Sequence, residues 1–364
     1  MPINRPYSPA LQAKIDLLMS RRTPVQMGSV SFDSPLLLAP MSAICNSPFR
    51  QLMEELGAGG TVSELVSCHG INYGNQMTRK MLEISSGEKN IGIQLFGEDG
   101  SSMAEAAKVA QDFGPKFIDI NMGCPVRKVV TKGSGSALLR ETAKLGGFFS
   151  EIKSALTVPL TIKIRTGWDA DSINALEIVR IAREEGVEFV AIHGRTRTQQ
   201  YTGSANWDLL EQVAAENVLP IIGNGDLHSA HLVRERLANT KCQALMLGRG
   251  PLRDPFIFLT PFAKVEEGIH FGPHDYAEVI ERLYHLMQAY TERERTLNIQ
   301  MKKLIVWMAT GFAGVSALRA KIFETPAIED AMKVTYDFFM ELAEKNQGSK
   351  QIDVTKPFMQ GGHG

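Results

Sequence analysis

A chain of 364 residues with 39 Lys and Arg against 40 Asp and Glu has a formal net charge of −1. No global field draws in a polyanion, so any basic surface has to be local, and the length allows one large domain plus a smaller one. Four cysteines (Cys45, Cys68, Cys124, Cys242) show no CxxC or other metal-ligand spacing, which argues against structural zinc and a disulfide framework and fits a reduced cytoplasmic setting. The N-terminus lacks an apolar signal core, and no run approaches the ~20 apolar residues of a membrane span. The expectation is a cytoplasmic protein with neither a membrane nor a metal as partner.

In chain order, residues 1–30 read as a short helix and a lead-in, with VQMGSVSF as a strand that plugs the bottom of the larger domain. Eight short apolar runs then recur: LLLAPM (36–41), GTVSELV (60–66), IGIQLF (91–96), FIDIN (117–121), PLTIKIR (159–165), FVAIHG (189–194), LPIIGNG (219–225) and QALMLGRG (243–250). Helix-periodic stretches such as SMAEAAKVAQDF and INALEIVRIAREEG separate most of them. Strand–helix alternation with near-continuous apolar strands predicts a parallel sheet covered on both faces. Eight such units within residues 31–265 predict an α/β fold, a TIM (β/α)8 barrel. The competing doubly wound sheet would normally carry GxGxxG after its first strand, and that fingerprint is absent. From 274 to 345 the pattern is helix-periodic and strand-poor, which predicts a C-terminal all-helical domain. The segment 348–364 reads as a disordered tail.

Polar residues gather at the strand ends: Met41, Gln94, Asn121, Lys163, Arg165, His193, Arg195, Asn224 and Arg249. In a barrel these positions converge on the mouth where active sites are built. The seventh and eighth strands end in GNGDLHSA and GRGPLRD. Glycines there let backbone N–H groups approach a ligand, and the following helix N-termini favour an anion. Gly225, Gly248 and Arg249 are therefore the expected phosphate cradle, flanked by Asn224 and Asp226. Lys163, in mid-mouth, needs a negative partner, which a flavin supplies on reduction; a Schiff-base lysine stays open on spacing alone. Gln94 suits a flavin's pyrimidine edge, and the APM backbone at 39–41 suits its ring.

The segments APMSAICNSPFR, SELVSCHGINYGN, IQLFGED, DINMGCPVRKVVTKGSGSALLR, VPLTIKIRTGWD, IHGRTRTQQYTGSANWD, IIGNGDL and LGRGPLRDPFIF run in order over 36–258. Together they resemble the tRNA-dihydrouridine synthase family. The resemblance implies an FMN-bound TIM barrel with a helical tRNA-binding domain, reduction of the C5–C6 bond of particular uridines in tRNA, and NADPH or NADH to reload the flavin. By motif it implies that Cys124 is the proton donor. It assigns Pro40, Met41, Ser42, Gln94, Lys163, His193, Asn224, Gly225, Asp226, Gly248 and Arg249 to FMN, and Asn121 and Arg165 to the uracil pocket. One segment departs from the family: SAICNSPF stands where small–Gly–Val–Thr–Asp usually follows APM.

Reducing an enone-like C5–C6 bond takes a hydride at C6 and a proton at C5. A thiol with a pKa of ~8.5 stays protonated at pH 7 yet yields its proton to a developing enolate, so Cys124 reads as an acid rather than a nucleophile. Cys68 and Cys242 fit the inert, buried alternative better. From Ile120 to Arg140 there is no carboxylate but Arg127, Lys128, Lys132 and Arg140; from Phe189 to Trp207 there is again none, with Arg195 and Arg197. Two acid-free loops on one rim predict a local positive mouth for RNA, with Arg127, Lys128 and Arg195 as substrate contacts. Lys302, Lys303, Arg319 and Lys321 are candidates to extend it. The rivals are a flavin barrel acting on a free pyrimidine and a tRNA-binding protein without catalysis; intact Cys124, Lys163 and His193 argue against the second.

Overall fold

The computed structural model describes residues 7–351. Eleven strands occur among them: β1 (Val25–Met27), β2 (Val30–Phe32), β3 (Leu36–Leu38), β4 (Gly60–Val62), β5 (Val66–Ser67), β6 (Ile91–Phe96), β7 (Phe117–Met122), β8 (Leu160–Arg165), β9 (Val190–His193), β10 (Ile221–Asn224) and β11 (Ala244–Leu247). From β3 to β11 every pairing is parallel, and the order closes on itself because β11 pairs β3 and β4 pairs β6. The result is an eight-position parallel barrel sheathed in helices, as the sequence predicts.

Two details differ from the sequence expectation. The lead-in is not one strand but an antiparallel hairpin, β1 on β2, turning at Gly28 with φ 59°. That left-handed conformation favours glycine, so the turn is built into VQMGSVSF. The second barrel position is also broken. β4 pairs Val62 with Gly92, β5 pairs Val66 with Leu95, and Ser63–Leu65 form the interruption between them. One extra residue on that strand shifts its register, as in a bulge.

Period-2 alternation gives the barrel strands two chemistries. On β7 and β8 the outward residues Ile118, Ile120, Met122, Leu160, Ile162 and Ile164 join the core beneath the helices Gly100–Gln111 and Thr142–Ser154. The intervening residues, Phe117, Asp119 and Asn121 on β7 and Thr161, Lys163 and Arg165 on β8, fall on the inner face. At the N-terminal end the interior is apolar. Met27, Val30 and Phe32 of the hairpin pack there with Phe117, Phe189 and Ile222. Phe32, Phe117 and Phe189 meet edge to face with centroids 5.3 to 5.9 Å apart, the preferred aromatic geometry.

The C-terminal helices Pro273–Tyr290, Glu294–Ala309, Val315–Glu324 and Ile328–Glu344 follow the barrel. They share one continuous core with β3, β11 and the helices Pro9–Met19 and Ser47–Glu55. Arg282 to Glu55 at 2.6 Å and Lys14 to Asp275 at 2.8 Å tie the same elements together. Of the tail expected to be disordered, the first residues are held. Gln351 N–H donates to Gly311 O at 2.9 Å, and the buried Lys350 ammonium bonds Met308 O at 2.6 Å and Arg253 O. Residues 352–364 lie outside the described residues. No helix among the described residues is long and apolar enough to cross a membrane.

Candidate active site

The C-terminal ends of the strands enclose a cavity of about 430 Å³. Pro40, Met41, Ser42, Gln94, Asn121, Cys124, Arg127, Lys163, Arg165, His193, Asn224, Gly225, Asp226, Gly248 and Arg249 all line it. Two of the expected site residues do not. Lys128 stands exposed on the single turn Arg127–Val130. Arg195 is buried at 3 % exposure, and its guanidinium is engaged by Asp226 (2.8 and 3.0 Å), Thr202 O and Gly203 O. Arg195 therefore braces the loop after β9 instead of offering donors to a substrate. Burial would raise the Asp226 carboxyl, but Arg195 and the Ala205 amide hold it below its ordinary value.

The loop that carries Cys124 is fixed from three sides. Asn121 Oδ1 accepts the Cys124 N–H at 2.9 Å and the Gly123 N–H at 3.3 Å. Ser136 donates its N–H and its hydroxyl to Cys124 O at 3.2 and 2.8 Å. Arg165 Nε donates to Gly123 O at 2.8 Å, while Nη1 reaches Thr196 O and Gln200 O across the mouth. Each such bond contributes about 1 kcal/mol net, and together they leave the thiol at the cavity wall. Cys124 is half-buried, whereas Cys45, Cys68 and Cys242 are buried, and all four are free thiols. Burial pushes every one of them up, Cys68 and Cys242 to about 11; at Cys124 the Val126 amide and the charges of Arg165 and Lys163 oppose the rise.

Lys163 donates to Asn224 Oδ1 at 3.3 Å, and Asn224 Nδ2 donates to Met246 O at 2.6 Å. Burial, helped by the charge of Arg165, pulls the Lys163 ammonium down to about 8. His193 is held well below its ordinary range by burial and by Arg165, Lys163, Arg195 and Arg249, so it is a neutral imidazole at pH 7. Among the lining side chains Arg127, Lys163, Arg165 and Arg249 are cationic against one carboxylate, Asp226, which already pairs with Arg195.

The two glycine loops differ in why they need glycine. Gly225 has φ 134°, and a Cβ there would sit 2.6 Å from the Ala205 Cβ, so the protein itself demands it. At Gly248 the nearest protein atom to such a Cβ is 3.9 Å away. Packing does not require that glycine; a side chain would only intrude on the cavity it lines. This is what a close-lying ligand needs, and the residues fit a flavin phosphate there. The helix after β11 begins at Gly250, beside this loop, but the helix after β10 begins only at Ala230.

The atypical segment after APM has a structural account. Ala43 takes φ 60°, a left-handed conformation usually left to glycine, and its N–H donates to Glu64 from the break between β4 and β5. Asn46 caps the helix Ser47–Glu55 by accepting the Phe49 N–H at 3.2 Å. Its amide also reaches Met287 Sδ at 3.3 Å and Gln300 Oε1 at 3.5 Å on the C-terminal helices, which an aspartate could not do.

Several lining residues escaped the sequence reading. Tyr201 joins the wall with Arg249 and Arg165 at 5.2 and 5.7 Å from its ring, and His228 follows Gly225 on the same rim. An aromatic inside the acid-free loop was the available signal for Tyr201. Beside the mouth, Arg140 and Arg197 lie 4.1 and 4.6 Å from the Trp168 ring and extend the positive rim. On the helices Arg319 and Lys321 are exposed, but Lys302 is buried and donates to Thr325 O and Pro326 O, so it braces the turn between helices.

The family model described as dihydrouridine synthase (Dus) matches residues 37–343. The tRNA-dihydrouridine synthase B of Pseudomonas aeruginosa is 32% identical over 326 residues, 89% of this chain and 98% of that protein. The protein of the same name from Vibrio cholerae is 39% identical over 235 residues, 64% of this chain and 73% of that one. Among solved structures, 6-hydroxypseudooxynicotine amine oxidase from Pseudomonas geniculata N1 superposes with a TM-score of 0.54 at 13% identity over 74% of this chain. The chain spans only 53% of that larger protein, and the likeness is one of fold. A match running from the first barrel strand into the last helix leaves one assignment: the chain belongs to the dihydrouridine synthase family.

Proposed function

We propose that this protein is a tRNA-dihydrouridine synthase: it uses FMN to reduce the C5–C6 double bond of particular uridines in tRNA, with NADPH or NADH as reductant. The single observation that carries the reading is a thiol, Cys124, on the wall of a cavity whose cations outnumber its carboxylates. A buried excess of positive charge calls for an anionic ligand, and a mononucleotide phosphate beside Gly248 and Arg249 answers it. FMN, when bound, supplies the hydride.

The remaining work falls to the chain. With FMN bound, Lys163 and Gln94 would hold the polar edge of the isoalloxazine, and the backbone at Ala39–Met41 would support its ring. Cys124, kept protonated at pH 7 by burial, delivers a proton to C5 of the base. Arg165 and Lys163 then stabilise the thiolate left behind, since both favour that charged form. The uridine leaves its stack to enter the cavity, and the basic rim with Arg127 and Lys128 holds the flanking phosphates while the helices from Pro273 onward orient the tRNA. A tRNA substrate goes with a cytoplasmic setting.

The test is direct. Mass spectrometry of tRNA from cells with and without this protein should show dihydrouridine lost at one or more positions and restored by the wild-type gene. An unchanged dihydrouridine profile, together with turnover of free uracil or orotate by the purified protein, would decide for the free-pyrimidine rival.

A further inference from the structure

The inner face of β7 carries a carboxylate that the proposed chemistry leaves without a task. Asp119 sits beneath the cavity at 4 % exposure, between Phe117 at the apolar end and Asn121 at the mouth. Its Oδ1 accepts from Thr161 Oγ1 and its Oδ2 from Gln94 Nε2, both at 2.7 Å. Burial pushes it up to about 6 against those two bonds and the charge of Lys163. A buried carboxylate costs several kcal/mol in desolvation unless it is well partnered. An apolar residue would fill the space without that cost, so the oxygen atoms have to matter for what they bind.

An ionised carboxylate only accepts, whereas a primary amide has a donor end and an acceptor end that swap on a half-turn. Facing Asp119, Gln94 has to present its NH₂ group. Its Oε1 is thereby turned to Asn121, which donates its own NH₂ at 2.8 Å. That leaves Asn121 Oδ1 for the loop, where it accepts the N–H groups of Cys124 and Gly123. Reversing Gln94 would set its oxygen against the Asp119 carboxylate and its NH₂ against that of Asn121, and reversing Asn121 would set a donor against the Cys124 N–H.

We propose that Asp119 is a positioning residue which, through the fixed orientations of Gln94 and Asn121, holds Cys124 at the cavity wall. Its importance for proton delivery rests on the proposed function; the hold on the loop does not.

Alkylation of the purified protein by iodoacetamide, followed at the Cys124 peptide by mass spectrometry, tests the hold without tRNA or turnover. Cys124 is the one half-buried thiol of the four. Asp119→Leu fills the volume but removes the acceptor, and its Cys124 should react about fivefold faster than wild type, the size of one net hydrogen bond. Asp119→Asn keeps an oxygen for Gln94 and an NH₂ for Thr161, and should react at nearly the wild-type rate. Turnover should follow the same order, with kcat lost in the Leu variant, KM for tRNA kept, and kcat largely rescued in the Asn variant. Equal labelling rates in all three proteins overturn the proposal, and so does an Asn variant as fast as the Leu one. Where Asp119→Leu yields no folded protein, Gln94→Met breaks the chain one link later. Because Gln94 also lines the cavity, this variant is labelled at a flavin content matched to wild type. It should react about fivefold faster, and it overturns the proposal if it reacts at the wild-type rate. A wild type that labels slowly yet makes no dihydrouridine would sink the proposed function and leave the positioning intact.

Discussion

The two ends of the barrel interior are built by the same strands and do opposite things. At the N-terminal end Phe32, Phe117 and Phe189 close an apolar plug with the hairpin. At the other end Asn121, only four residues beyond Phe117 on the same strand, faces a cation-rich cavity together with Lys163 and Arg165 of the neighbouring strand. Four residues of strand are ~13 Å. Over that distance the interior passes from what holds the protein together to what it acts with, and Asp119 and Thr161 mark the change. Stability and chemistry are therefore separable by substitution along a single strand.

The sharpest way to break that separation is one substitution at each end. Cys124→Ala should lower dihydrouridine formation by roughly 10²–10⁴, the usual contribution of a general acid, while flavin content, reduction by the nicotinamide and the thermal midpoint stay near wild type. Phe32→Ala should do the reverse, destabilising by about 3–5 kcal/mol through the cavity it leaves with kcat per folded molecule unchanged. Denaturant melts beside single-turnover assays check both. If Cys124→Ala turns over tRNA normally, or Phe32→Ala loses kcat at full folding, the two ends are not independent.

A smaller effect should appear in pH. The Lys163 ammonium is pulled down to about 8, from an ordinary value of 10.5. Since the folded pKa is depressed, its stability contribution is present above the unfolded value and lost as pH falls through about 8. Binding an anion favours the charged lysine, so FMN affinity should be full below pH 8 and decline above it, by at most about tenfold per pH unit. Lys163→Met should bind more weakly and lose this step. Flavin titrations across pH 7–9.5 with no difference between the two proteins would remove Lys163 from the cofactor site.

Most of the barrel was legible because burial imposes it. Eight apolar runs with helices between them have few other solutions, and polar residues at their C-terminal ends mark the mouth. The broken second strand was not legible, because GTVSELV reads as one run and only the register against β6 reveals the extra residue. Arg195 and Lys302 were misread for a common reason. A sequence shows that a cation is present, whereas its partners come from distant chain: Asp226 for the first, Thr325 O and Pro326 O for the second. Asp119 was visible as a lone acid in FIDIN, but its bonds to Gln94 and Thr161 cross three strands.

Salt dependence sharpens the mouth's side of the comparison. If Arg127 and Lys128 hold phosphates, changing both to Ala should weaken tRNA binding by about tenfold near physiological salt and flatten the log Kd against log salt slope by up to about 2. Flavin content should not move. A slope identical to wild type would take these two residues off the RNA path and leave Arg140 and Arg197, beside Trp168, as the rim to test next.

The smallest expected effect asks whether the mouth stores strain that the plug does not. Ala43 holds φ 60° while its N–H is anchored to Glu64, and an L-residue there costs roughly 1–2 kcal/mol relative to its relaxed backbone. Glycine removes that cost but gains unfolded-state entropy worth about 0.4–1 kcal/mol. The balance favours Ala43→Gly by up to ~1.6 kcal/mol, a rise of at most about two degrees in the thermal midpoint for a chain this long. Ala43→Val should fall on the other side, since a β-branched residue tolerates the left-handed region least. A glycine variant that melts lower than wild type would mean that the backbone angle costs less than the unfolded-state entropy glycine gains, and that the mouth stores no more strain than the plug.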